Sequence, residues 1–327
     1  MKRFVVALSL LAIALTGCTQ TAQPKTVTLV AHDSFAISDA LIKKFENQSG
    51  YKLQIVRAGD VGAMTSKLVL TKDAPIGDVV YGIDNTFAPV ALKNNILSSE
   101  ITPIDYADVC FNADLAYFKS HNLVIPKHWK DLIQPKYKNL TVIENPNTSS
   151  TGLAFLALTE SYFKNPASDI PPNLNWWLAF RDNGVKVAAG WEDAYYTYFS
   201  GAAGHGKYPI VLSYSSSPAD EIGPDGLSRT QSLSTDCFRQ TEYAAVLRNA
   251  GNPEGAKALI KFFEAKDFQK ALPESMYVYP IDPSVTIPKS WLLFGAPATT
   301  FLGEDLDIAN KREQWLSDFN WVFEVAP

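Results

Sequence analysis

The sequence predicts an α/β protein of two lobes, each a mixed sheet flanked by helices, joined by two crossover strands. Three observations predict it. Near the start, strand and helix patterns alternate as β-α-β-α-β, an order that gives parallel strands with helices packed on them. A second alternating block begins near residue 140. Two extended stretches, Asp108 to Phe118 and Cys237 to Val246, fit crossovers between the blocks. The chain has 327 residues, 46% of them hydrophobic and 12% aromatic, enough for two domains with ordinary cores.

In the first block, Val27 to His32 reads as a strand. Ser38 is placed to cap a helix with Leu41, Ile42 and Phe45 on one face, and Gly50 to end it. Lys52 to Val56 reads as a strand, Ala63 to Leu70 as a helix and Gly77 to Tyr81 as a third strand. Ligands of such sheets bind at the carboxyl ends of the strands. Those ends lie near His32-Asp33-Ser34, Ala58-Gly59-Asp60 and Gly82-Ile83-Asp84-Asn85. In the second block, Leu140 to Glu144, Val185 to Ala189 and Pro209 to Tyr214 read as strands. Gly152 to Phe163, Asn173 to Asp182 and Glu192 to Ser200 read as helices. Pro253 to Lys266 is amphipathic, with Ala256, Leu259, Ile260 and Phe263 inward, and a helical tail runs from about Asp305 to Phe323. The expected lobes are 27–107 with 238–283, and 108–237 with 284–327.

The first residues have a different character. Met1-Lys2-Arg3 is a short positive head, Phe4 to Leu15 is apolar apart from Ser9, and Leu15-Thr16-Gly17-Cys18 closes the run. This is the layout of a secretory signal, 1–17, too short to span a bilayer, which needs about 20 apolar residues. Its ending resembles a bacterial lipobox. That resemblance implies a lipid on Cys18, a polar tether over 18–26, and an extracytoplasmic body anchored to the cell membrane. The formal charge is −5 and no basic run appears, so nucleic acid is an unsuited partner. Beyond Cys18, the cysteines are Cys110 and Cys237. An even pair in an oxidising compartment invites a disulfide; two separate buried thiols are the alternative.

Motifs of covalent chemistry are missing from the sequence. There is no Gly-x-x-x-x-Gly-Lys-Ser/Thr loop, no Gly-x-Ser-x-Gly elbow and no His-Glu-x-x-His helix. His32, His121, His128 and His205 are scattered without metal-ligand spacing. We therefore expect no metal, no cofactor and no enzyme. Three loops at expected strand ends combine hydroxyls with aromatics instead. Asn147 to Gly152 opens a helix, where free N–H groups and hydroxyls make a cradle or simply cap the helix. Gly190-Trp191-Glu192-Asp193 follows a strand, so Trp191 either faces a ligand or fills the core. Ser213 to Pro218 sets Tyr214 beside Ser215, Ser216 and Ser217. Asp60 adds a carboxylate and Tyr277 another ring. Together they describe a cleft for a flat cationic heteroaromatic.

These segments also carry a resemblance. His32-Asp33-Ser34-Phe35, Gly77 to Asn85, Asn145 to Gly152, Gly190 to Tyr195, Leu212 to Ala219 and Tyr279-Pro280 resemble thiamine-binding proteins of bacterial ABC importers. These are two-lobe solute-binding proteins with the type II periplasmic-binding-protein fold. The likeness runs over nearly the whole chain after the signal. It implies a monomeric receptor that closes on thiamine, or its mono- or diphosphate, and docks on a membrane permease. It implies ligand contacts from Asp60, the Val61 backbone, Ser149, Ser150, Trp191, Tyr214, Ser215, Ser216, Ser217 and Tyr277. If Cys110 and Cys237 lie on the crossovers, they meet as a hinge disulfide. The chain departs from the family's pattern at His32 and Asp220, where aromatics are usual, and at Asp105 to Asp108. The alternatives are a receptor for another solute, such as ferric iron, a polyamine or a phosphonate, or a thiamine-degrading enzyme of similar fold.

Overall fold

The structure is a computed structural model that describes residues 25–163, 172–201, 206–302 and 306–326. The signal segment, Cys18, the tether up to residue 24, and His205 lie outside the described residues. The chain runs β1 (Thr26–Ala31), α1 (Asp39–Ser49), β2 (Lys52–Arg57), α2 (Val61–Leu70), β3 (Val79–Asp84), α3 (Ala88–Lys93), β4 (Thr102–Asp114) and α4 (Leu115–Ser120). It continues through β5 (Thr141–Glu144), α5 (Ser150–Tyr162), α6 (Pro172–Asp182), β6 (Lys186–Ala188), β7 (Ile210–Tyr214) and β8 (Thr230–Val246). It ends with α7 (Pro253–Phe263), α8 (Lys266–Met276), β9 (Tyr279–Pro280), α9 (Lys289–Phe294), β10 (Phe301–Leu302) and α10 (Ile308–Asn320).

Local signals explain many boundaries. The Ser38 hydroxyl accepts from Leu41 N, and Gly50, at φ 75°, closes α1 in the left-handed region. β1 pairs in parallel with both β2 and β3, as the β-α-β-α-β order requires. Val27, Leu29 and Ala31 pack under α1, α7 and α8, while Val30 packs on the opposite face with α2. β1 and β3 are thus largely buried on both faces and mostly apolar, whereas the edge strand β2 carries Lys52, Gln54 and Arg57 and is only partly buried.

Both lobes share one ten-stranded sheet of order β2-β1-β3-β8-β4-β7-β5-β6, with β9 on β4 and β10 on β8. The crossover strands are longer than their sequence signals. β4 covers 13 residues and β8 covers 17, and they pair antiparallel along most of their length. The far end of β8 pairs with β3 in the first lobe, and the far end of β4 pairs with β7 in the second. Leu115 to Phe118, expected as extended, is helical instead. The Asp114 carboxylate accepts from Ala116 N and Tyr117 N and so starts α4. The segment expected as a helix over Glu192 to Ser200 forms a π-helical turn, Asp193–Tyr198. α8, with Pro273 in its last turn, had no counterpart in the sequence reading.

At the crossing, the register of β4 and β8 slips between Val109↔Phe238 and Phe111↔Leu233. Cys237 sits in this bulge and is bonded to Cys110, with Cα atoms 5.0 Å apart and 127 residues between them. Beside it, Arg239 pairs with the buried Asp108, whose Oδ2 also accepts from Ala298 N at 2.8 Å. The crossover is therefore fastened covalently and by an ion pair with few solvent-exposed atoms.

Two predictions follow from these features. Removing both sulfurs, as Cys110→Ser with Cys237→Ser, should lower unfolding free energy by about 2–4 kcal/mol, because the bond closes a long loop in the unfolded chain. A urea titration of the double variant that matched the parent would contradict this. The second concerns Asp84, fully buried at the end of β3, where its carboxylate caps the next turn through Phe87 N and Thr86 Oγ1. Burial, with Glu242 nearby, raises its pKa from 3.8 to about 7. Between those values the folded protein holds a proton that the unfolded chain has lost, so this group makes stability fall as pH rises. Asp84→Asn keeps the cap and should flatten that decline. Equal slopes for variant and parent across this pH range would refute it.

Candidate functional site

The site lies where the carboxyl ends of β1 and β2 face the loops after β6 and β7. Two adjoining cavities fill the cleft. The larger, about 580 Å³, is lined by Asp33, Gly59, Asp60, Thr148, Asp193 and Thr197 among others. The smaller, about 220 Å³, is lined by His32, Phe35, Tyr214, Glu242, Met276 and Tyr277 among others. Asp33, Ser34, Trp191, Glu192 and Tyr196 border both.

Asp60 caps α2 and reaches across the cleft at the same time. Its Oδ1 accepts from Val61 N at 2.6 Å, and its Oδ2 accepts from Trp191 N of the second lobe at 2.9 Å. Gly190 permits this approach, because a Cβ there would stand 2.9 Å from Asp60 Oδ2. Burial raises the Asp60 pKa, while the Trp191 amide, the Ser149 hydroxyl and the Val61 amide oppose the rise. The lobes also meet where Gly62 N and Ala63 N both donate to Thr148 O. Val61 itself is buried at the start of α2, with its N–H directed to Asp60.

Trp191 is both buried and at the cleft wall. Its Nε1 donates to Ser213 Oγ at 2.9 Å, and Tyr195 stacks on the indole at 4.9 Å and 14°. These contacts fix the ring plane. Tyr214 lies nearly parallel to the indole at 6.0 Å, and Tyr277 is tilted to it at 6.5 Å. Three rings from separate segments therefore converge on one space. Tyr277 reaches it from the first-lobe side because it ends α8 in the left-handed region, at φ 60°. Burial, with Tyr196 and Asp220 close by, holds its phenol well above the ordinary pKa.

The serines expected as a hydroxyl cradle are placed differently. Ser149, Ser150, Ser215, Ser216 and Ser217 are all buried, and none borders either cavity. Ser149 Oγ bonds Thr151 Oγ1, Ser150 Oγ accepts from Gln240, and Ser217 Oγ bonds Ser213 Oγ. Ser216 Oγ donates to Tyr277 O, and Ser215 Oγ lies 3.4 Å from the Tyr279 phenol. These hydroxyls brace the loops that carry Trp191, Tyr214 and Tyr277. A sequence shows that serines sit in a loop, while the direction of each Oγ depends on side chains brought from elsewhere.

Other lining residues were not singled out by sequence. Glu242 lies on β8 with its side chain almost wholly buried, 3.5 Å from His32 Nε2. Burial opposes charge on His32, but Glu242, with Asp60 and Asp33 behind it, outweighs that and raises the pKa. Glu242 carries no distinctive sequence signal, since it follows other polar residues of β8, Arg239, Gln240 and Thr241. Ser34 and Glu192 lie within the motifs already noted, and Tyr196 directly follows the Gly190 to Tyr195 segment. Among the described residues, Asp33, Asp60, Glu192, Asp193 and Glu242 border the two cavities, and no lysine or arginine does. The site thus favours a cation and an aromatic ring.

Comparison with known proteins agrees with this geometry. Residues 80–221 match the family model for bacterial extracellular solute-binding proteins. The chain is 26% identical to a thiamine-binding periplasmic protein of Salmonella typhimurium, over 90% of this chain and 92% of that one. It is 26% identical to the protein of the same name from Escherichia coli, over 92% of this chain and 95% of that one. The fold matches a solved periplasmic thiamin binding protein with a TM-score of 0.79 and 23% identity, covering 91% of this chain and 96% of that one. It also matches iron-bound HitA from Pseudomonas aeruginosa with a TM-score of 0.68 and 16% identity, covering 91% and 99%. A ligand-sized cleft between two lobes and likeness over nearly the full length of these relatives lead to one conclusion: the chain has the two-lobe type II periplasmic-binding-protein fold and is similar to bacterial extracellular solute-binding proteins.

Proposed function

We propose that this protein captures thiamine between its lobes and delivers it to the permease of an ABC importer. The observation that carries the reading is the convergence of Trp191, Tyr214 and Tyr277 on a cleft bordered by carboxylates. Thiamine is two flat aromatic rings joined by a methylene bridge, one of them carrying a fixed positive charge. In this reading the rings lie against the aromatic wall, and the cation sits toward Asp60, Asp33 and Glu192. Asp60 and Trp191 already bond across the cleft, so a ligand that touches both stabilises the closed arrangement of the lobes. The curated relatives named above are thiamine-binding proteins, which supports the same ligand.

The acidic lining further favours thiamine over its phosphates. A phosphate in either cavity would meet Asp33, Asp60, Glu192, Asp193 or Glu242, and the serine hydroxyls are turned to protein partners. Ferric iron fits less well. Iron needs phenolates, whereas burial holds Tyr195, Tyr196 and Tyr214 in the protonated form, and Tyr195 donates to Glu221. Binding and release need no bond-making, so the protein acts as a receptor and not as an enzyme. A lipid on Cys18 would keep the monomeric receptor beside its permease.

Calorimetry with thiamine, its monophosphate and its diphosphate should show thiamine bound tightest, with each phosphate at least about tenfold weaker, since like charges oppose burial. Tighter binding of the diphosphate, or no binding of any of the three, would overturn the reading. Trp191→Ala should weaken thiamine binding about tenfold or more by removing the ring face. Unchanged affinity would return Trp191 to a purely structural role.

A further inference from the structure

One pair of lining groups has a role beyond charge. His32 and Glu242 line the smaller cavity together with Trp191, Tyr214 and Tyr277. His32 is 7% exposed and Glu242 is 5% exposed. Ser34 Oγ holds His32 Nδ1 at 2.8 Å and so sets the imidazole orientation. Gly82, at φ 94°, leaves the space the ring occupies, because a Cβ there would lie 2.1 Å from His32 Cδ2. The other ring nitrogen, Nε2, makes no hydrogen bond within the protein. Its neighbour, Glu242 Oε2, is 3.5 Å away, beyond good hydrogen-bond length.

A buried polar atom without a partner is costly, and a ligand group that supplies the partner recovers that cost. The two atoms offer an N–H donor beside a carboxylate acceptor. Their complement is a flat ring edge with an amino donor beside a ring-nitrogen acceptor. We propose that His32 and Glu242 are specificity-determining residues that read this edge, the amino group donating to Glu242 and the ring nitrogen accepting from His32 Nε2. The inference rests on the thiamine reading, because thiamine's pyrimidine carries such an edge. It assigns the pyrimidine to the smaller cavity and leaves the larger, more acidic one to the cationic ring.

The test uses the full secreted chain, thiamine, and the analogue with an oxo group in place of the amino group. The oxo group presents an acceptor to Glu242, so the parent should prefer thiamine by about tenfold or more. Glu242→Gln, whose amide can rotate to donate, should erase most of that preference while the thermal midpoint shows a folded protein. His32→Phe keeps a ring over Gly82, removes the donor and should weaken thiamine by a similar factor; it decides the matter if Glu242→Gln does not fold. A parent that binds thiamine without discriminating, or variants that keep the parent's preference and affinity, would overturn this inference and leave the receptor reading standing. A parent that binds neither compound would overturn both.

Discussion

The antiparallel pairing of β4 with β8 is the constraint on which the rest of the molecule depends. Each strand begins in one lobe and ends in the other, so one ladder runs through both lobes of the single sheet. The register slip at the crossing breaks that ladder locally, and the Cys110–Cys237 bond spans the break. A bulge in a shared ladder is a natural place for strands to bend, and a covalent tie there keeps the bend from becoming a separation. Because the crossing fixes which strand ends oppose each other, it also fixes which loops face across the cleft.

Those loops meet as a set of polar contacts with aromatics behind them. Asp60 joins the helix start of one lobe to the Trp191 amide of the other, and the Thr148 carbonyl accepts from two amides of the opposite lobe. Each contact is modest by itself. A cleft closed by several modest bonds can also reopen, which a receptor that must release its ligand requires. The Trp191 ring, by contrast, is held rigidly by Tyr195 and Ser213, so ligand meets a wall that needs no ordering.

A second set of acids is buried outside the two cavities. Asp84, Asp105 and Glu144 all have raised pKa values, with burial as the first cause, and Glu242 lies near the first two. Carboxyl groups kept out of water at such density cost stability as pH rises.

Much of the fold was legible in the sequence because its signals are local. Ser38 and Gly50 delimit α1 through their own side-chain and backbone geometry, and the β-α-β-α-β order dictates parallel pairing. Asp60, Trp191, Tyr214 and Tyr277 were also legible, as acid and aromatics at strand or helix ends, and the structure brings them to one cleft. What only the tertiary structure decided was direction and partnership. The serine hydroxyls turn inward because Gln240, Thr151, Ser213 and Tyr277 O arrive beside them from distant or folded-back segments. Glu242 reaches the cleft because β8 passes beneath it, and it meets His32 across 210 positions of chain. Spacing along a chain records which groups are present and which local structure they start or stop; the neighbours that satisfy a buried polar atom come from the packing of the whole sheet.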